Sequence, residues 1–131
     1  MTAAPPPRTS VYLLQSRANS IYTRAELELT DTRLLCGLAE HSRWVAKALG
    51  LDDLKDRLAA GEPITAVDFR REHLDVKWLR QFMGGAFFVS EGGSRRWLVS
   101  LICPSTLWSL VEAVDGRAIH KQWREALSRS S

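Results

Sequence analysis

The run Ala86-Phe87-Phe88-Val89-Ser90-Glu91-Gly92-Gly93-Ser94-Arg95-Arg96-Trp97-Leu98-Val99-Ser100-Leu101-Ile102-Cys103-Pro104 decides the fold. Both of its flanks are rich in aromatic and β-branched residues, which suit a pleated, half-buried surface. Between them Glu91-Gly92-Gly93-Ser94 supplies the turn chemistry of a β-hairpin. Gly84-Gly85 opens the outgoing strand, and Pro104, which has no N–H for a ladder, closes a return strand expected over 97–103. Past it, Ser105 or Thr106 is placed to cap a helix carrying Leu107, Leu110, Val111 and Val114 on one face. Asp115-Gly116 interrupts that pattern, and Ile119, Trp123 and Leu127, four apart, take it up again. Trp108 and Trp123 cannot share one face with the leucines, so at least one of the two is expected to be partly exposed.

Working back towards the N-terminus, Ala25, Leu27 and Leu29 alternate with Glu26 and Glu28, the period of a strand buried on one face. Val11–Leu14 and Ile21–Thr23 are shorter β-prone stretches before it. Thr30-Asp31-Thr32-Arg33 is a polar turn, and Leu34, Leu35, Cys36 and Leu38 return as a strand. The period then changes. Trp44, Val45 and Ala48 share a helical face across 39–49, and Leu51, Leu54 and Leu58 mark a second helical piece across 52–60. Gly50 is placed for a left-handed cap, and Gly61 with Pro63 stops the second piece. A strand is expected over 64–69, then the charged turn Arg70-Arg71-Glu72-His73. Residues 74–83 suit either a strand or a short helix. Strands joined by hairpins, with the helices segregated, make an α+β protein.

Residues 1–10, with three consecutive prolines, read as a disordered tail before a single domain over 11–131. No apolar stretch approaches the ~20 residues of a membrane span. The N-terminal residues lack the apolar core of a secretory signal, so a cytoplasmic protein is expected. Cys36 and Cys103 read as buried core thiols, since a disulfide is disfavoured in the cytoplasm.

Three segments together resemble bacterial PH-like domains, the group that includes the GRAM-like and bacterial PH families. Leu27–Leu35 is similar to the strand, Thr-Asp-x-Arg, strand signature of that group. Gly84–Val89 with Arg96–Leu101 is similar to its late hairpin, and the helix after Pro104 to its capping helix. The resemblance implies antiparallel sheets in a partly open barrel with a C-terminal capping helix, and it carries no catalytic set. The helical insert at 39–61 is a departure from the family's core. Eukaryotic relatives of the fold bind phosphoinositides, peptides or other proteins.

The chemistry-bearing residues point away from an enzyme. Asp52, Asp53 and Asp56 match a magnesium-binding spacing, but carboxylates at a helix start are favoured by its dipole and no second metal motif accompanies them. His41, His73 and His120 have no His or Cys at metal-ligand spacing. No cofactor is expected. The net charge of +3, from 18 basic and 15 acidic residues, permits anionic partners without demanding them. The basic residues Arg70, Arg71, Lys77, Arg80, Arg95 and Arg96 are the candidate binding set, with Trp78 and Trp123 as aromatic contacts. A non-enzymatic module that binds a protein partner or self-associates is the first functional expectation. Binding of nucleic acid or another anionic ligand through a basic patch on the late strands is the second.

Overall fold

Seven strands and three helices are built from these patterns in a computed structural model of the chain, which describes residues 6–16, 21–80, 85–102 and 117–130. In chain order they are β1 (Thr9–Leu14), β2 (Tyr22–Leu29), β3 (Arg33–Leu38), α1 (Arg43–Leu49), α2 (Leu54–Ala59), β4 (Thr65–Arg70), β5 (Leu74–Leu79), β6 (Ala86–Glu91), β7 (Trp97–Ser100) and α3 (Arg117–Ser130). One turn of 3-10 helix, Arg71–His73, joins β4 to β5. The helix expected from Ser105 to Val114 lies outside the described residues, as do Cys103 and Trp108.

All strand pairs are antiparallel, and the order across the sheet is β4-β3-β2-β1-β7-β6-β5. The protein is α+β, and the sheet is open, with β4 and β5 as its edges. Alternation sets the faces: on β2, Thr23, Ala25, Leu27 and Leu29 are buried while Arg24 and Glu26 are exposed. The two β-prone stretches read separately at 21–23 and 25–29 are this one strand, because Thr23 keeps the same parity as Ala25. Within 74–83 a strand forms over Leu74–Leu79, since its partner β6 supplies a ladder that no isolated propensity shows, and residues 81–83 lie outside the described residues.

One core cluster draws on every strand and all three helices. It includes Val11, Leu27, Leu34, Val67, Leu74, Phe87, Val99, Val45, Leu54 and Trp123. A single core reaching from one edge strand to the other requires the sheet to curl around it. The two edges meet at the corner made by the 3-10 turn. There the Arg70 backbone N–H, at the end of β4, donates to the Glu91 carboxylate on β6, so a side chain stands where a paired strand would close the sheet. A smaller apolar cluster of Leu14, Leu79, Ala86 and Leu98, with Phe88 against it, lies on the opposite face.

The helical insert is tightly specified at its ends. Gly50 (φ 69°) and Gly61 (φ 80°) adopt the left-handed conformation that a side chain resists. After α1, Leu51 N–H donates to Ala46 O and Gly50 N–H to Lys47 O. After α2, Glu62 N–H donates to Arg57 O and Gly61 N–H to Leu58 O. Both sets are the paired 6→1 and 5→2 bonds of a Schellman cap. The insert is tied to β2 by Ala39 N–H to Arg24 O (3.0 Å) and by Arg24 N–H to Glu40 Oε1 (2.9 Å).

Three boundaries differ from the sequence reading. β1 starts at Thr9 and Pro6 is buried, inside the segment expected as a tail. Arg8 holds it down beside Glu26 (3.3 Å), and Thr9 Oγ1 donates to Pro7 O (2.6 Å). α1 starts at Arg43 rather than Ala39, because residues 39–40 are taken up in the link to β2. β7 ends at Ser100 rather than 103: its hydroxyl accepts from Ile102 N–H and donates to Ile102 O, a local bend that competes with the ladder.

Candidate functional site

The candidate basic residues do not form one patch. Arg70 and Arg71 sit at the corner between β4 and β5. Arg70 Nε lies 3.7 Å from Glu91 Oε2, and Arg71 Nη1 donates to Thr30 O (2.9 Å). Asp31, Thr32, Arg33, Arg70, Arg71 and Glu72 line a hollow of about 300 Å³ there, and Arg33 Nη1 is 2.7 Å from Asp68 Oδ1. Every arginine at this corner is engaged with an acceptor: a carboxylate for Arg33 and Arg70, and a backbone carbonyl for Arg71.

Arg95 and Arg96, adjacent in sequence, part company. Successive residues near a strand project to opposite faces. The Arg96 guanidinium lies 3.8 Å from the centre of the Phe88 ring, on the face away from the main core. Exposed Lys77 stands directly opposite Phe88 across the β5–β6 ladder. Arg80 is exposed just past β5. Arg95 instead lies over Trp97, 5.3 Å from the ring centre, on the side facing the helical insert.

The aromatic candidates are structural supports. Trp123 is fully buried, and its Nε1–H donates to Thr9 Oγ1 (2.9 Å), fastening α3 to the start of β1. Burial follows from the 119, 123, 126, 127 spacing, which turns Trp123 inward with Ala126 and Leu127. It offers no surface to a partner. Trp78 is half-buried, packed 4.6 Å from Phe87 and roofed by Arg124 at 4.6 Å.

The helical insert supplies what the late strands lack. Trp44 of α1 packs against Trp97 of β7, ring centres 6.0 Å apart, and this contact sets α1 beside the β6–β7 turn. Arg43 and Lys47, one helical turn apart, then face Arg95. Together with Gln15, Trp44 and Ala48 they line an open cleft of about 540 Å³. None of these lining residues is acidic, and neither Arg43 nor Lys47 has a carboxylate partner among the described residues. Three cations from two elements therefore share a hollow with no counter-charge among the described residues. Like charges repel at this range, so the arrangement costs the folded state something unless an anion enters.

Trp44 Nε1–H is buried and finds no acceptor among the described residues. A buried, unsatisfied donor costs about 1–3 kcal/mol, and in native structures most such groups are paired.

No known family model, curated protein sequence or solved structure matches the chain.

The sequence reading held Arg95 but missed Gln15, Arg43, Trp44 and Lys47. A signal was present: between Glu40 and Asp52 the chain carries Arg43 and Lys47 at four-residue spacing and no acid. Asp52, Asp53 and Asp56 gather no metal set. Asp53 precedes α2 and its carboxylate lies 3.9 Å from Arg57, whose guanidinium is also bound by Glu62 at 2.7 Å. Among the described residues no three His, Cys, Asp or Glu side chains come together. Cys36 is buried, and burial pushes its thiol up to about 12, which leaves it without nucleophilic thiolate at neutral pH. Among the described residues no helix is long and apolar enough to cross a membrane.

Proposed function

We propose that this protein is a non-enzymatic, PH-like binding module that takes an anionic ligand in the cleft between α1 and the β6–β7 turn. One observation carries the reading: Arg43, Lys47 and Arg95 converge on that cleft with no acidic residue among its described lining. Arg guanidinium groups bind carboxylates and phosphates through charge-assisted hydrogen bonds, roughly twice as strong as neutral ones. The strand order β4-β3-β2-β1-β7-β6-β5 with a C-terminal helix supports the PH-like part of the reading. So does the Thr30–Arg33 turn, where Thr30 Oγ1 accepts from Arg33 N–H (2.9 Å).

Calorimetry with inorganic polyphosphate tests the reading. Binding is expected, weakening as salt rises. It should be lost in the double variant Arg43→Ala/Lys47→Ala and kept in Arg70→Ala/Arg71→Ala. Loss in the corner variant alone would sink the assignment of the site.

A second reading, association with a protein surface or a second copy, is favoured by Ile21 and Tyr22. These are 52% and 37% exposed, side by side where β2 begins. Light scattering after size exclusion checks it: a dimer that Ile21→Asp reduces to monomer supports it, and a monomeric parent chain removes self-association.

A further inference from the structure

We infer that the cleft's ligand is a nucleotide unit, a phosphate monoester carried on a sugar and a flat heteroaromatic base. The inference rests on the anion-binding reading above and adds the ligand's class. Three features of the cleft lead to it.

The first is charge. Arg43, Lys47 and Arg95 offer three positive charges, and they come from two different elements. A carboxylate would answer one of them. A phosphate monoester carries about −1.5 to −2 at neutral pH and three strong acceptor oxygens. It can therefore meet several converging donors at once.

The second is size. A cleft of about 540 Å³ falls within the roughly 300–1,000 Å³ of small-molecule sites. Bare phosphate would leave most of it to water. The ligand has a body as well as a charge.

The third is the character of the remaining wall. Besides its cations, the cleft is lined by the Trp44 indole, the Ala48 methyl and the Gln15 amide. An aromatic and a methyl group give a dry surface for a flat ring, and stacking of a base on an aromatic side chain is worth about 1–3 kcal/mol. Gln15 both donates and accepts, the pattern needed to read the edge of a base. A sugar phosphate would satisfy the cations and leave the dry wall uncovered. A phosphorylated aliphatic side chain would do the same.

Calorimetry on the intact chain compares AMP, GMP, CMP and UMP with ribose 5-phosphate, adenosine, inorganic phosphate, a phosphotyrosine peptide and a 5′-phosphorylated tetranucleotide. At least one nucleotide should bind roughly tenfold or more tighter than ribose 5-phosphate, given the stacking energy above. Arg43→Ala and Lys47→Ala should each weaken that nucleotide about tenfold, the effect expected of one charge-assisted hydrogen bond. Gln15→Ala should alter the ranking of the four bases. Both cationic positions are exposed, and a thermal melt of each variant separates lost binding from lost folding. Tighter binding of the tetranucleotide assigns the nucleotide to the end of a single strand, and equal binding assigns it to a free mononucleotide. Both outcomes uphold the class. Ribose 5-phosphate binding as tightly as every nucleotide, or the phosphotyrosine peptide binding more tightly, overturns it while leaving the anion-binding reading in place. Failure of polyphosphate and all nucleotides together overturns both.

Discussion

Two basic regions of this molecule look alike in the sequence and differ in kind. At the β4–β5 corner, Arg33, Arg70 and Arg71 are each engaged, by Asp68, Glu91 and the Thr30 carbonyl respectively. In the cleft beside α1, Arg43 and Lys47 have no carboxylate partner among the described residues, and Arg95 lies over the Trp97 ring. The corner arginines hold the fold together, whereas the cleft cations are held by the fold. Counting arginines does not separate the two. The missing counter-charge does, because charge left unanswered inside one chain is what remains to attract another molecule.

The largest expected effect breaks this comparison directly. Reversing both cleft charges, Arg43→Glu/Lys47→Glu, should weaken anion binding by roughly a hundredfold or more, since two charge-assisted bonds of ~1.5–3 kcal/mol each are lost. Calorimetric titration reads it, and full binding by this variant would place the ligand elsewhere. Next comes the corner. Arg71→Ala removes the bond to Thr30 O in a part-buried position and should cost about 1–2 kcal/mol in urea unfolding while leaving anion affinity unchanged.

The third effect is smaller and opposite in sign. Lys47→Ala relieves repulsion from Arg43 and Arg95, so it should leave stability unchanged or raise it by up to about 0.5 kcal/mol. A clear fall in the unfolding midpoint would mean that Lys47 has a structural partner and belongs with the corner type. The smallest concerns Glu62, an exposed member of an answered pair. Its hydrogen bond to Arg57, and then the Arg57 charge, hold its carboxyl below the ordinary range. A depressed carboxyl contributes fully above the unfolded value of about 4.3, and that contribution fades as pH falls from there through the folded value. Glu62→Gln should flatten this acid limb slightly in a pH series of thermal melts.

Much of the fold was legible because its signals are local. The alternation of Ala25, Leu27 and Leu29 fixed a face, Glu91–Ser94 fixed a hairpin, and Gly50 fixed a cap. Residues 74–83 are ambiguous because Trp78 and Phe82 satisfy two periods, and the ladder to β6 decides for a strand over Leu74–Leu79. The site was mostly hidden for a different reason. Arg95 and Lys47 stand far apart in the chain, and nothing local tells that Trp44 will settle on Trp97. The late-strand arginines drew notice by crowding, yet alternate projection sends Arg95 to the cleft and Arg96 to Phe88. Trp123 is a candidate binding aromatic from the sequence, but its helix turns it onto the core and the Thr9 hydroxyl accepts from its N–H.

The central place of β1 has a consequence for how the chain is made. β1 leaves the ribosome before the other six strands of the sheet, yet its second neighbour, β7, begins at Trp97. While β2 to β6 are being made, one side of β1 is a row of unpaired N–H and C=O groups, open to a passing strand from another nascent chain. The first four strands can pair in order as they emerge, but the sheet stays half-built until residues 97–100 arrive, and Trp123 bonds to Thr9 later still. Newly made copies that stall or are truncated before Trp97 should therefore be the ones that need a chaperone.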